Sequence, residues 1–255
     1  MPVRYGWVWT MLFAIVLAAV SSLSAVEVES VQFEELDFSG FTFDICRVKL
    51  GKGDFRIDVY YREDDENFRS IGAIRQKIKE EGDSIIYAIN GGMYNGRFEP
   101  VGLYVENGEE FFPLNLMDGY GNFYLKPNGV FMVGDKGARI MESSLYPEIR
   151  DSVIFATQSG PLLVIDGEYH YAFNDTSPNT FVRTGVGVAA PDEILFGVSD
   201  REVNFYTFAS LFREALECKN ALYLDGDIYR VFSPEQDRID TTGNLGVFIG
   251  VTKTK

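Results

Sequence analysis

The chain has 255 residues, of which 46% are hydrophobic and 15% are aromatic. This is enough for one sizeable core or at most two small domains, and it excludes an extended or disordered chain. A formal net charge of −15 disfavours binding to nucleic acid or to anionic membrane surfaces. An anionic substrate would therefore have to be held by local donors against the overall field of the protein.

The first predicted element is an export signal. Arg4 precedes an almost wholly apolar run, residues 7–20, and small residues follow at positions 21–25. This order is typical of a secretory signal with cleavage just before Ala25. The run is shorter than the ~20 residues of a membrane span, although an uncleaved anchor stays open. We expect residues 1–25 to be a signal peptide or N-terminal membrane anchor, and the protein to be periplasmic or extracellular.

Strands and a helix are predicted next. The apolar stretches 41–50 and 55–60 predict a strand pair joined across a glycine turn at residues 51–53. Residues 67–81 predict an amphipathic helix that Gly82 ends. Its apolar residues recur at helical spacing: Phe68, Ile71, Ile74 and Ile78.

The second half of the chain predicts more strands and one more helix. Three hairpin-type dipeptides interrupt residues 101–133, and they lie at 107–108, 118–119 and 128–129. Further strands are predicted at 153–156, 162–165, 185–189, 194–198, 221–224 and 245–251, and a second helix runs from Phe208 to Leu216. Many strands with two main helices predict a single α+β domain built on a large, mostly antiparallel mixed sheet.

Two segments of the same form are the most informative feature for function. Residues 84–94 and 221–229 are each an apolar strand that ends at a polar residue and a glycine turn. In a gapless alignment Asn90 meets Asp225, and Gly91 meets Gly226. Glycine allows close approach of the backbone to a ligand, and polar residues at strand ends commonly build active sites. Two ordinary strand–turn junctions are the alternative.

Two familiar kinds of site are disfavoured. Residues 185–190 match a loose dinucleotide-binding fingerprint, but a turn into another strand follows where that motif requires a helix. His170 is the only histidine, which disfavours a nitrogen-rich zinc site. A serine triad with Ser159 lacks the nucleophile elbow. His170 could assist a site or be a satisfied turn histidine.

Acidic residues supply one candidate chemistry. Asp225 and Asp227 could hold a hard cation such as Ca²⁺ or Mg²⁺ through oxygen ligands. Alternatively, a desolvated carboxyl group at a strand end could act as an acid or base. An ordinary Asp-Gly turn is the structural alternative.

Donors for an anion supply the other candidate chemistry. The guanidinium of Arg183 could clamp two phosphate oxygens, or it could form a surface salt bridge. Asn90, with the glycine turn at Gly91 and Gly92, offers amide donors. Ser159 and Gly160 offer a second set of donors.

The two cysteines, Cys46 and Cys218, leave two alternatives open. Export would permit a disulfide, which would close a long loop and stabilise the fold. Two buried free thiols are the other alternative.

Five motifs in order resemble the phosphodiester glycosidase family. They are residues 90–94, 100–103, 158–163, 183–188 and 224–226, and the resemblance spans roughly residues 41–251. The family includes the uncovering enzyme, which removes N-acetylglucosamine from a phosphodiester on mannose. This chain looks most like the exported bacterial branch. Asp227 and Tyr229 depart from the family pattern of further glycine and serine, which leaves substrate identity and metal use open.

The resemblance implies that residues 26–255 form an exported hydrolase domain. It would cleave the glycosidic bond of a small-molecule or glycan sugar-1-phosphodiester, with an N-acetylglucosamine-1-phosphodiester-like substrate. The implied catalytic residues are Asp225, Arg183 and Asn90. The implied substrate-binding residues are Gly91, Gly92, Ser159, Gly160, Asp227 and His170. No metal ligand is assigned, a divalent cation stays open, and Asp227 or Glu99 could supply a second carboxyl group.

Two rival functions remain at this stage. A non-catalytic envelope protein that binds glycan or phosphoglycan would use the same strand ends, and the departures at Asp227 and Tyr229 favour it. A hydrolase that attacks phosphorus would instead release a sugar phosphate.

Overall fold

The computed structural model of the protein describes residues 30–63, 66–226 and 228–255. Two predictions, the export signal at residues 1–25 and the roles of Asp227, lie outside the described residues. Within these ranges, no helix is long and apolar enough to cross a membrane.

Most strands belong to three antiparallel sheets. The seven-stranded sheet has the spatial order Val31–Phe38, Phe41–Lys49, Glu193–Ser199, Thr184–Ala190, Asn220–Asp225, Leu162–Ile165 and Glu168–Tyr169. The sheet that we call the Asn90 sheet has the order Arg238–Ile239, Val231–Ser233, Ser84–Asn90, Phe248–Lys253 and Phe55–Tyr60. The sheet that we call the Ser159 sheet has the order Gly137–Glu142, Gly129–Gly134, Val153–Ser159, Tyr104–Glu106 and Glu109–Phe112. A short ribbon pairs Arg62–Glu63 with Glu66–Asn67.

Helices are few. The first is Ile71–Glu80, and the second is Phe205–Ser210, which continues as a π-helical turn at Leu211–Ala215. Short 3₁₀ turns lie at Asn122–Tyr124, Ser143–Glu148, Arg150–Ser152 and Pro234–Gln236. The predicted α+β class with mostly antiparallel strands and two main helices is confirmed, and the strands are shared among three sheets.

The three sheets enclose a common apolar core. The ring of Phe196, in the seven-stranded sheet, lies 5.3 Å from the ring of Tyr87 in the Asn90 sheet. The same ring lies 6.3 Å from that of Phe131 in the Ser159 sheet. Burial of this aromatic surface holds the sheets together and brings their strand ends to one region.

The first helix covers the outer face of the Asn90 sheet. Ile71, Ile74 and Ile78 are buried against that sheet, as their spacing predicts. The helix begins four residues later than the predicted start because Arg69 has φ +60° and the Ser70 hydroxyl caps the helix. Gly82, at φ +95°, ends it as predicted.

The second helix covers the outer face of the seven-stranded sheet. Its rings reach the sheet backbone because glycines leave room there. A Cβ atom on Gly187 would lie 2.7 Å from Phe212 and 2.6 Å from the Cys218 sulfur. The glycines of the rejected dinucleotide fingerprint therefore lie inside a strand hairpin and serve helix packing.

One predicted strand pairing is wrong. Residues 41–49 and 55–60 are strands, but they do not pair with each other. The first pairs within the seven-stranded sheet, and the second pairs with Phe248–Lys253. Gly51 and Gly53, both at positive φ, form the connection that carries the chain from one sheet to the other.

Of the three predicted hairpin dipeptides, one forms a hairpin turn and two do not. Asn107 and Gly108, both at positive φ, join two strands of the Ser159 sheet as predicted. Gly119 lies in an irregular segment. Asn128 is buried and donates its side-chain amide to the Phe123 carbonyl at 2.9 Å, so tertiary contacts override the turn signal there.

Both cysteines are free and buried, so the alternative of two buried thiols holds. Burial raises the pKa of the Cys218 thiol to about 12 and raises that of Cys46 as well. Both thiols therefore stay protonated near neutral pH.

We predict that Gly187→Ala destabilises the fold by ~1–3 kcal/mol, because the added methyl group would press on Phe212 and Cys218. Chemical denaturation measures this as a lower free energy of unfolding. Gly96→Ala is the matched control, since its Cβ would meet no atom within 4 Å. Equal stability of the two variants would contradict this packing.

Candidate functional site

The candidate site lies where the Asn90 sheet meets the seven-stranded sheet. Asn90 ends its strand fully buried, and its Nδ2 donates to the Thr184 hydroxyl at 3.3 Å. That hydroxyl donates to the Asp225 carbonyl at 2.6 Å and accepts from the Asp225 N–H at 3.1 Å. One hydroxyl has one proton and two lone pairs, so Thr184 is fully used in joining the two predicted residues.

The Ser159 sheet meets the same region through two more hydroxyl groups. Thr157 donates to the Gly91 carbonyl at 2.8 Å, and buried Ser159 donates to the Leu224 carbonyl at 3.2 Å. Gly92 has φ +152°, and a Cβ on it would lie 2.9 Å from the Thr157 hydroxyl oxygen. The glycine turn therefore lets the three strand ends approach one another.

Asp225 is held by its own turn. Its Oδ1 accepts the Gly226 N–H at 2.6 Å. A Cβ on Gly226 would lie 2.4 Å from the Tyr223 hydroxyl oxygen and 2.5 Å from the Val182 carbonyl oxygen. Glycine is required at this turn because the surrounding chain leaves no room for a side chain.

Tyr94 extends the site beyond the glycine turn. Its hydroxyl donates to the Asn244 carbonyl at 3.3 Å, and its ring stacks on Phe98 at 5.6 Å. Burial raises the Tyr94 pKa, the charge of Asp225 raises it further, and the charge of Arg230 opposes the rise. The charges of Asp225 and Arg230 therefore both influence the ionisation of the Tyr94 hydroxyl.

Arg183 lies beneath the site and is fully buried. Its Nε donates to the Val203 carbonyl at 2.8 Å, and its Nη2 donates to two oxygens of Asn179 at 2.9 Å. The guanidinium stacks 3.6 Å from the centre of the Phe205 ring, and burial lowers its pKa. Arg183 holds the 179–183 segment in place, and its predicted contact with phosphate stays a prediction.

His170 is packed among aromatic rings. It is buried between Tyr171 at 4.8 Å and Phe173 at 4.7 Å, measured between ring centres. Its Nδ1 accepts the Ala172 N–H at 3.1 Å, and burial lowers its pKa. These contacts suit a neutral structural histidine, and its predicted contact with substrate stays a prediction.

Two further candidates have local partners. A Cβ on Gly160 would lie 2.7 Å from that of Asn128, so Gly160 packs against the 122–128 segment. Glu99 accepts from the Asn95 side chain at 2.9 Å and pairs with Arg97 at 3.3 Å within its own loop. Across the three described ranges, no three His, Cys, Asp or Glu residues are grouped to hold a metal ion.

Sequence reasoning missed Thr184, Thr157 and Arg230. Thr184 directly follows Arg183 and begins a strand, and successive strand residues point to opposite faces. Only one of the two can face Asn90, and it is Thr184. This alternation of side chains along the strand was the sequence signal that could have identified Thr184.

Comparison with known proteins gives one family. A model of the phosphodiester glycosidase family matches residues 83–227, a range that includes Asn90, Thr184 and Asp225. The uncharacterized protein YigE of Escherichia coli strain K12 is 32% identical over 178 residues, which cover 69% of each chain.

Two solved structures share the fold. The catalytic domain of zebrafish N-acetylglucosamine-1-phosphodiester alpha-N-acetylglucosaminidase, auto-inhibited by its pro-peptide, has a TM-score of 0.59 at 13% identity, over 89% of this chain and 85% of that one. A hypothetical protein from Synechocystis has a TM-score of 0.53 at 13% identity, over 88% of this chain and 62% of that one. At these identities the likeness concerns the fold alone.

We predict that Thr184→Val lowers the free energy of unfolding by ~1–3 kcal/mol, because the Asp225 backbone and the Asn90 amide lose their shared partner. Thr184→Ser keeps the hydroxyl group, so its free energy of unfolding should fall by less. Urea denaturation of both variants compares them. A serine variant as unstable as the valine variant would contradict the junction.

We predict opposite shifts of the Tyr94 pKa in two variants. Asp225→Asn should lower it and Arg230→Gln should raise it, since each removes one of the charges at the hydroxyl. Carbon-13 NMR of labelled tyrosine measures the titration, and Tyr94→Phe assigns the signal. If neither variant moves it, the three groups are not neighbours.

Proposed function

The chain belongs to the phosphodiester glycosidase family, and we propose that it hydrolyses the bond between the anomeric carbon of a sugar and a phosphodiester oxygen. The observation that supports this most is the junction of Asn90, Thr184 and Asp225. It places an amide and a carboxylate at adjoining strand ends, inside the range that the family model matches.

The reaction would release free sugar and a phosphomonoester. Water would attack the anomeric carbon and lose one proton to the base that activates it, with Asp225 as the candidate. The bond from that carbon to oxygen would break, and the electron pair would stay on the phosphate oxygen. A phosphomonoester is a stable anion, so this leaving group needs less acid catalysis than an ordinary alcohol. The main demands are activation of water and binding of negative charge.

Each predicted residue has a role in this scheme. Asp225 would activate water or bind the sugar, and Asn90 would orient the sugar or the phosphate. A second carboxyl group, common among glycoside hydrolases, would come from Asp227 or Glu99. Asp227 could instead bind a divalent cation with Asp225.

The remaining predicted residues would support binding. The Gly92 amide would face the phosphate, while the Gly91 N–H donates to the Val247 carbonyl at 2.7 Å and would only fix the turn. Ser159 and Gly160 would shape the turn behind them. Arg183 would add positive charge from below, and His170 would stiffen the aromatic packing under it.

For the substrate we propose an N-acetylglucosamine-1-phosphodiester or a close analogue. This proposal is supported by the zebrafish enzyme, an N-acetylglucosamine-1-phosphodiester alpha-N-acetylglucosaminidase whose fold this chain shares. Export to the periplasm or exterior is part of the proposal, and its support is the apolar run at residues 7–20. A phosphodiester of the cell envelope would then be accessible to the enzyme.

We predict that the purified protein releases N-acetylglucosamine from UDP-N-acetylglucosamine or from a simple sugar-1-phosphodiester. Asp225→Asn should reduce kcat by ~10²-fold or more, because it removes the carboxylate that activates water or binds the sugar. Chromatography of the products measures free sugar and phosphomonoester. Asp192→Asn, at an exposed hairpin turn, is the matched control and should keep full activity.

The products separate the competing functions. Sugar phosphate as the product would mean attack at phosphorus, and binding without turnover would favour a glycan-binding protein. Activity that EDTA removes and Ca²⁺ or Mg²⁺ restores would show that a cation takes part. Full activity of Asp225→Asn would remove Asp225 from the mechanism.

A further inference from the structure

A phosphodiester site needs a cation that substrate can reach. The protein carries a net charge of −15, and Asp225 adds a local negative charge that repels phosphate. Arg183 is fully buried, and it already donates to the oxygens of Val203 and Asn179. The site therefore calls for a second, more accessible cation.

Arg230 lies next to the predicted amide. Its carbonyl accepts the Asn90 N–H at 3.2 Å, and the following residue, Val231, pairs with Ile89. Arg230 thus lies directly before the strand Val231–Ser233, which pairs beside Asn90. Its backbone is tied to that sheet by the hydrogen bond from Asn90.

The side chain of Arg230 runs across Gly243, the residue before the one that accepts the Tyr94 hydroxyl. A Cβ on Gly243 would lie 3.1 Å from Nε and 3.6 Å from Cγ of Arg230. The next residue, Asn244, accepts the Tyr94 hydroxyl. Gly243, at φ +125°, therefore leaves the space that the arginine occupies.

Arg230 keeps donors for a ligand. It is half-buried, and its Nη1 donates to the Tyr229 carbonyl at 2.7 Å. Among the residues that the structure describes, no carboxylate lies within 4.0 Å of its guanidinium. A guanidinium has five N–H donors in a planar fork that suits two phosphate oxygens.

We infer that Arg230, with the Tyr94 hydroxyl beside it, binds the phosphate of the substrate at the rim of the site. This inference rests on the proposed function. Asn90 would then lie between the sugar and the phosphate, and Asp225 would lie on the sugar side. Arg230 is the binding cation, and Arg183 supports the floor of the site.

The effect of charge on Tyr94 agrees with this geometry. Burial raises the Tyr94 pKa, Asp225 raises it further and Arg230 lowers it, so the charges of both groups reach this hydroxyl. A phosphate bound at Arg230 would take the proton of that hydroxyl in place of the Asn244 carbonyl, which accepts it at 3.3 Å.

The test measures binding of inorganic phosphate and of N-acetylglucosamine by calorimetry, together with hydrolysis of UDP-N-acetylglucosamine. Arg230→Gln should weaken phosphate binding on the order of 10- to 100-fold, the range expected for a charged hydrogen-bonding group. Sugar affinity should stay unchanged. Arg230→Lys keeps the charge without the fork and should lose less.

The matched control is Arg150→Gln, which removes the same charge from an exposed arginine outside the candidate site. It should leave phosphate binding and hydrolysis unchanged. Thermal denaturation checks that each variant is folded. If Arg230→Gln does not fold, Arg230→Lys and Tyr94→Phe carry the test, and both must weaken phosphate binding.

The outcomes separate this inference from the proposed function. Wild-type protein that binds phosphate without hydrolysis, and loses that binding in Arg230→Gln, supports the inference while the proposed function fails. An active wild type whose Arg230→Gln variant binds phosphate normally overturns the inference alone. If Arg230→Gln weakened the affinity for sugar and for phosphate equally, Arg230 would only order the site, and the inference would also be overturned. No phosphate binding by the wild type overturns it as well.

Discussion

The hydroxyl group of Thr184 is the contact on which the candidate site depends. It satisfies the N–H and the carbonyl of Asp225 and also receives the side chain of Asn90. These groups lie where two sheets end, so a lost partner would leave buried polar atoms unpaired. The side-chain amide of Asn90 is therefore held against the backbone of Asp225 through one buried hydroxyl group.

Close approach of the strand ends explains the glycine turns. Gly91, Gly92 and Gly226 each lie where a Cβ atom would come within 3 Å of a neighbouring atom. The same crowding appears where the second helix crosses Gly187. Glycine here serves packing as much as turning, and the N–H groups of Gly91 and Gly226 are used within the protein, by the Val247 carbonyl and the Asp225 carboxylate.

The two arginines of the region show how environment separates similar side chains. Arg183 stacks on Phe205, whose ring lies 5.0 Å from Phe173, and that ring lies 4.7 Å from His170. This column supports a buried cation through ring faces and protein oxygens, without a carboxylate among the described residues. Arg230 has one such oxygen and is partly open. Burial suits Arg183 to a structural role, and partial exposure suits Arg230 to binding a ligand.

Local patterns were sufficient to predict many of the strands, both main helices and the likeness of the two strand–turn segments, because periodicity and glycine act over a few residues. The strands Val31–Phe38, Gly137–Glu142 and Val231–Ser233 were missed. The alignment paired Asn90 with Asp225, and in the structure Thr184 hydrogen-bonds to both residues; their role in one site stays a prediction. Tertiary structure alone decided which strands pair, since strands 41–49 and 55–60 belong to different sheets. It also turned Arg183 inward and brought Arg230 beside Tyr94. The strand pairings and the approach of Arg230 to the Asn90 sheet join residues more than a hundred positions apart, and Arg183 depends on the Val203 carbonyl 20 positions away. No local pattern specifies these partners.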